Sequence, residues 1–230
     1  MKIGISFYGI TEGTDPRTGY SRDFRHCWDN IQQNIIQPIL AKEHEVKIYA
    51  STYPFKDAST EKEFFKLVNP TKVVMSDFET SDAFTAKSKL HDAFEGEDLD
   101  FIIFTRFDIH FHQNILELDL HDRKINFLFP EGDGWWERAM FTCDCFYAWP
   151  HEFSGNVKVA MRETYGWPRG TQYPDTHGMM NMLLKSVSME NIHMMSMEPQ
   201  ISNVNKFYTL CRPNVPEHPC KHPDVRAKYG

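Results

Sequence analysis

The sequence lacks several features that would place it in common classes of protein. No apolar run among its 230 residues approaches the roughly 20 residues that a membrane-spanning helix needs. The net charge is −7 and Lys and Arg form no cluster, which argues against nonspecific binding to nucleic acid or anionic membranes. Internal repeats and the Gly-Lys-Ser/Thr sequence of a P-loop are also absent.

The cysteines form no regular framework. There are five of them, an odd number, and this predicts reduced thiols and a cytoplasmic protein. Residues 1–9 are too short an apolar segment for a signal peptide and are better interpreted as a first core strand.

Hydrophobic patterns predict a chain that alternates strands and helices. After the first strand, five apolar residues repeat at helical spacing and predict a helix: Phe24, Trp28, Ile31, Ile35 and Ile39. Further strands are predicted over 45–51, 72–78 and 99–109. We expect an α/β fold in one domain, 1–230, with a mostly parallel central sheet flanked by helices in a Rossmann-like, three-layer arrangement. Residues 198–230, rich in proline, are expected to form an extended C-terminal tail over the surface.

Polar residues follow the predicted strands, and parallel sheets bind ligands beyond the carboxyl ends of their strands. These residues are Tyr8, Gly9, Ser51, Thr52, Ser76, Asp77, Arg106 and Asp108. Side chains alternate along a strand, so Arg106, Asp108 and His110 are expected on one side. A carboxylate and an imidazole together can bind a divalent metal, and an arginine can bind phosphate. The alternative is a simple Arg106–Asp108 ion pair beside a surface histidine.

The segment 101–111 resembles the metal-binding strand of glycosyltransferases with the A-type fold (GT-A), in the Arg-x-Asp variant found in capsule, lipopolysaccharide and large-virus glycan pathways. Residues 1–9 resemble the first strand of these enzymes, whose end receives the nucleotide base. Residues 142–153 resemble their later Asp-x-Phe-Tyr segment near the sugar and the acceptor. In this family the last Asp of the motif holds Mn²⁺ or Mg²⁺ against the two phosphates of a sugar nucleotide. Asp108 matches that residue, and Arg106 replaces the first Asp of the motif.

The resemblance implies transfer of a hexosyl or pentosyl group from a nucleoside-diphosphate sugar to a glycan or another hydroxyl acceptor. It implies a cytoplasmic location as well, or the host cytoplasm for a viral protein. Predicted nucleotide-sugar-binding residues are Tyr8, Gly9, Arg17, Arg22, Thr52, Lys87, Arg106 and Asp108, and predicted metal ligands are Asp108, His110 and His177. The alternatives are a solvated lysine at position 87 and a helix-capping histidine at 177.

In an inverting enzyme a base must deprotonate the acceptor hydroxyl, and the candidates are Asp133, Asp144 and Asp175. Asp144 is favoured, because placing a carboxylate within an aromatic strand costs free energy unless the carboxylate is paired or has a function. A structural Asp144 is the alternative. Trp135 and Trp136 are predicted to bind the acceptor, or else to serve as core and lid. Two other functions stay open: a metal-dependent phosphoesterase or nucleotidyltransferase, and a nucleotide-sugar-binding module without catalysis.

Overall fold

The strands of the protein form one large sheet and two small ones within the described residues. The computed structural model describes residues 1–14, 21–77, 86–87, 89–132, 136–137, 140–165, 178–200 and 205–211. The strands are β1 (Lys2–Tyr8), β2 (Glu12–Thr14), β3 (Ser21–Asp23), β4 (Glu45–Thr52), β5 (Lys72–Met75), β6 (Phe101–Arg106), β7 (Ile109–Phe111), β8 (Ile125–Phe127), β9 (Tyr147–Pro150), β10 (Ile192–Met194) and β11 (Tyr208–Leu210).

The large sheet has the order β10-β8-β9-β6-β1-β4-β5. Its strands pair in parallel except β9, which is antiparallel to both β6 and β8. The small sheets pair β2 with β3 and β7 with β11, each antiparallel. The predicted α/β fold with a mostly parallel central sheet is therefore confirmed.

Helices cover both faces of this sheet. They are α1 (Arg25–Ile31), α2 (Gln37–Ala41), α3 (Ala58–Val68), α4 (Leu90–Phe94), α5 (Ser154–Tyr165) and α6 (Met179–Leu183). Side chains alternate along β1, so Ile5 and Phe7 pack with α1 and α3, whereas Tyr8 belongs to the core that includes α4, α5 and α6. Two apolar cores therefore enclose the sheet as the sequence predicts.

The helix predicted from Phe24 to Ile39 is confirmed, and its middle is a π-helical segment. Helix α1 leads into the π segment Gln32–Ile36, which leads into α2. Pro38 follows this segment, has no N–H to donate, and crowds the carbonyl four residues earlier. A wider turn just before Pro38 accommodates that missing hydrogen bond.

Two helices, α3 and α5, were not predicted from apolar spacing. Helix α3 is defined by its ends instead. The Asp57 side chain accepts a hydrogen bond from the Thr60 N–H at 2.8 Å, and Asn69 ends the helix in a left-handed conformation with φ +48°. Phe64, which is fully buried, anchors the helix in the core.

The predicted strand over 99–109 is interrupted. β6 ends at Arg106, and after Phe107 and Asp108 the chain continues as β7, which leaves the large sheet and pairs with β11. Within the described part of the predicted tail, Tyr208–Leu210 forms β11, and Phe207, Tyr208 and Leu210 are buried in the core rather than laid over the surface.

Candidate functional site

The carboxyl ends of three central strands lie side by side. Tyr8, the last residue of β1, is opposite Ser51 of β4 on one side and Arg106 of β6 on the other. Gly9 then turns the chain with φ +112°, a conformation that favours glycine. The Thr52 hydroxyl donates to the Gly9 carbonyl at 2.8 Å, which fixes this turn against β4.

A buried carboxylate lies between two arginines at this edge. Asp108 Oδ1 accepts from Arg106 Nε at 2.7 Å, and Asp108 Oδ2 accepts from Arg106 Nη2 at 2.7 Å. Arg22 Nε lies 2.9 Å from Asp108 Oδ2. We call these three residues the Arg–Asp–Arg group. Burial acts to lower the pKa of Arg106, but the charge of Asp108, the neighbouring Tyr8 and Cys145 and the hydrogen bond to Asp108 together outweigh it, and the pKa lies well above its usual value.

Arg22 is held in place by the β2–β3 hairpin, and ion pairs of Arg25 fix that hairpin to the rest of the fold. Arg25, just after β3, forms ion pairs with Asp23 at 2.7 Å, Glu12 at 2.5 Å and Glu63 at 2.9 Å. Since Glu63 belongs to α3, this network ties both strands of the hairpin to the helix that packs on the sheet. The hairpin is thereby fixed where Arg22 meets Asp108.

A second charged group lies beside the first. The ammonium of Lys87, fully buried, donates to the Asp144 carbonyl, and Lys87 Nζ lies 3.6 Å from Asp144 Oδ2. It also lies over the rings of Tyr8, Phe104 and Tyr147, at 5.1, 5.6 and 5.3 Å from their centroids. Burial lowers the pKa of Lys87, and the charge of Asp144 opposes that shift.

Tyr8 and Arg106 connect the two groups. The Tyr8 hydroxyl donates to the Asp144 carbonyl at 3.2 Å, and the Arg106 guanidinium lies 5.8 Å from the centre of the Tyr8 ring. Arg106 Nη1 also lies 4.0 Å from the Cys145 sulfur. The site thus joins the ends of β1 and β6 to the segment that precedes β9.

The structure brings together most of the described residues that the sequence predicts for this site. They are Tyr8, Gly9, Arg22, Thr52, Lys87, Arg106, Asp108 and Asp144. Their predicted roles in binding and catalysis stay predictions. Lys87 is buried rather than solvated, so that alternative is wrong.

Two other predicted residues, His110 and Trp136, lie in the described part of the chain, and the rest lie outside it. His110 is buried in β7, and Trp136 is half-buried against the core that includes α5 and α6. Four predicted site residues lie outside the described residues: Arg17, Asp133, Trp135 and His177.

Asn30 on α1 was not predicted. Its side-chain amide donates to the Phe111 carbonyl at 2.9 Å, and its Oδ1 accepts from the Phe111 N–H at 2.6 Å. Asn30 therefore pairs with β7 as a neighbouring strand would, and holds the segment that follows Asp108. The only signal for this in the sequence was an asparagine beside the apolar stripe of the helix.

A divalent cation does not fit the described residues well. Among them, no three His, Cys, Asp or Glu side chains come together in a way that could hold a metal ion. Both carboxylate oxygens of Asp108 already contact guanidinium nitrogens. With His177 outside the described residues, the expected Mn²⁺ or Mg²⁺ site stays a prediction, and no chemical step below depends on it.

Comparisons with known proteins give structural similarity only. No family model and no curated protein matches the chain. Similar solved structures include galactosyltransferase LgtC with donor and acceptor sugar analogs, at a TM-score of 0.46 and 12% identity, over 84% of this chain and 72% of LgtC. Another is S. aureus TarS, at 0.49 and 12% identity, over 98% of this chain and 38% of TarS. Similarity at this level assigns no reaction to the chain.

In the part of the chain that the structure describes, none of the helices combines the length and the apolar character that crossing a bilayer requires.

Proposed function

We propose that the chain is a glycosyltransferase that moves a hexosyl or pentosyl group from a nucleoside-diphosphate sugar to a hydroxyl of a glycan or similar acceptor. The observation that carries the proposal is the cluster of Arg22, Arg106 and Lys87 at the carboxyl edge of β1 and β6. Open sheets of this class bind ligands at that edge, and the resemblance of 101–111 to the GT-A motif strand points to the same place.

The chemistry of the leaving group explains why cations belong here. Negative charge grows on the diphosphate as its bond to the anomeric carbon breaks. Guanidinium groups that are already fixed by Asp108 stabilise that charge without first having to reorient. Arg106 is suited to this role because its side chain is 17% exposed, so part of the guanidinium is accessible from the surface.

Asp144 is the proposed base for the acceptor hydroxyl. Its side chain is 12% exposed, so it is partly accessible from the surface, and its Oδ2 lies 3.6 Å from Lys87 Nζ, which helps to hold the carboxylate in place. Asp133 is the second candidate. Trp135 and Trp136 are proposed to bind the acceptor, on the strength of their sequence alone.

The test is a screen of common sugar nucleotides for donor hydrolysis and for transfer to simple glycans. We expect turnover of one donor, and Arg106→Gln should lower it by about 10²- to 10³-fold because a transition-state donor is lost. Arg162→Gln, on an arginine whose side chain is 55% exposed on α5, is the matched control and should retain activity.

Asp144→Asn separates catalysis from binding. It should lower transfer by about 10²- to 10⁴-fold while nucleoside-diphosphate binding persists. Full transfer activity in this variant would remove Asp144 from the role. If the parent protein binds a nucleotide sugar but turns over none, the non-catalytic binding module becomes the better description.

A further inference from the structure

The Arg–Asp–Arg group has a geometry that differs from a metal site. Its central carboxylate is buried, with the side chain of Asp108 6% exposed, and a guanidinium lies within 2.9 Å of each oxygen. Arg106 binds both oxygens in the parallel, two-bond arrangement typical of strong arginine–carboxylate pairs. A carboxylate in this geometry binds and orients the protein's own arginine side chains.

A divalent ion at Asp108 would have to share these oxygens with two guanidinium groups. Each guanidinium carries a fixed positive charge, which repels a second cation brought close to it. The described residues also offer no further pair of His, Cys, Asp or Glu that would complete a ligand set with Asp108. The position at which a metal would gain most from Asp108 is thus the one that the two arginines already occupy.

Arg106 keeps donor capacity beyond its pair with Asp108. Its Nε and Nη2 bind the carboxylate, whereas Nη1 is in contact, among the described residues, with the Cys145 sulfur at 4.0 Å. A thiol at that distance is a weak acceptor, and a phosphate oxygen is a strong one. One edge of the guanidinium is therefore fixed by Asp108 while the other can donate to an anion.

We propose that this chain binds the diphosphate of its donor through Arg106 and Arg22, that Asp108 positions these two arginines, and that no divalent cation is required. This inference rests on the proposed function. The two guanidinium charges take the place of the metal charge. Arg106, which replaces the first Asp of the motif, supplies one of them. Asp108 then acts through the arginines and does not contact the ligand.

Calorimetric titration of the full chain with UDP, GDP, CDP, ADP and dTDP tests this, each in EDTA and in Mn²⁺. We expect one nucleotide to bind in EDTA, with an affinity that Mn²⁺ changes by less than about threefold. Arg106→Gln should weaken that binding by about 10- to 100-fold, the usual effect of losing a hydrogen bond from a charged donor. Arg162→Gln should leave it unchanged.

Asp108→Asn distinguishes a positioning residue from a metal ligand. If Asp108 positions the arginines, the variant binds more weakly in EDTA and in Mn²⁺ alike. If Asp108 binds metal, parent binding is strong only in Mn²⁺, and the variant loses that enhancement. Electron paramagnetic resonance of Mn²⁺ added to the nucleotide-free parent gives a reading that does not depend on any variant folding: we expect the spectrum of free Mn²⁺.

The outcomes separate the two proposals. Binding that requires Mn²⁺, or Mn²⁺ bound by the nucleotide-free protein and released by Asp108→Asn, overturns metal independence and leaves the glycosyltransferase proposal standing. Failure of every nucleotide to bind in either buffer overturns the proposed function and this inference with it.

Discussion

Replacing His91 by phenylalanine should remove a specific part of the acid sensitivity of the fold. His91 lies on α4, is 2% exposed, and stacks on Trp149 with the ring centroids 5.7 Å apart. Burial, with the charges of Lys158 and Arg162, lowers the pKa of His91 from 6.5 to about 3. Phenylalanine keeps a planar ring in this position and has no group that titrates.

The magnitude follows from the difference in pKa between the folded and unfolded chain. Below pH 6.5 the unfolded chain binds a proton at His91, and the folded chain does not until the pH approaches about 3. Stability is therefore lost as the pH falls through this window. Each pH unit within it corresponds to about 1.4 kcal/mol, so between pH 7 and pH 4 His91 alone lowers the free energy of unfolding by about 3 kcal/mol.

The assay is urea unfolding at pH 7, 6, 5 and 4. Carboxylates lose their own interactions in acid, so the useful quantity is the difference between parent and variant at each pH. We expect this difference to shift by about 3 kcal/mol in favour of His91→Phe between pH 7 and pH 4. His151→Gln, on an exposed histidine, controls for loss of a histidine as such. Parallel curves for parent and His91→Phe would refute the reasoning.

Two further substitutions test how the fold is held together. Asn30→Ala should lower the free energy of unfolding by about 1–3 kcal/mol, because both backbone groups of Phe111 lose their side-chain partner. Asn34→Ala is its control, since Asn34 contacts the same carbonyl only at 3.5 Å; equal losses in thermal denaturation would contradict the assignment. Phe64→Ala should lower the free energy of unfolding, measured with urea, by about 3–5 kcal/mol. Phe65→Ala, on a side chain that is 44% exposed, should lower it far less. Similar midpoints for these two variants would argue against the described packing of α3.

The local sequence pattern was sufficient to predict the central sheet and to predict that the candidate site residues meet at one edge of it. A strand that is buried on both faces gives a continuous apolar run in the sequence. A helix that is buried on one face gives apolar residues every three or four positions, so both can be recognised locally. The rule that ligands bind at the carboxyl ends of parallel strands then grouped Tyr8, Thr52, Arg106 and Asp108 correctly.

Long-range pairing and polar positioning were not predictable in this way. Apolar alternation continues from Phe107 to Phe111, so nothing local signals that the strand leaves the large sheet after Arg106. Its new partner, Tyr208–Leu210, lies about a hundred residues away in the sequence. Helix α3 was missed for a different reason, since its cap at Asp57 is informative only when the helix is already suspected.

The pairing of β7 with β11 has a consequence for how the protein is made. The Cys211 N–H donates to the Asp108 carbonyl at 2.8 Å, just where β11 meets the chain that leaves the Arg–Asp–Arg group. During translation the first strands emerge early, yet the edge of β7 has no partner until residues 208–211 leave the ribosome. The nascent chain therefore displays an open strand edge beside the Arg–Asp–Arg group while about a hundred further residues are added, and a chaperone that shields extended segments would be expected to associate there.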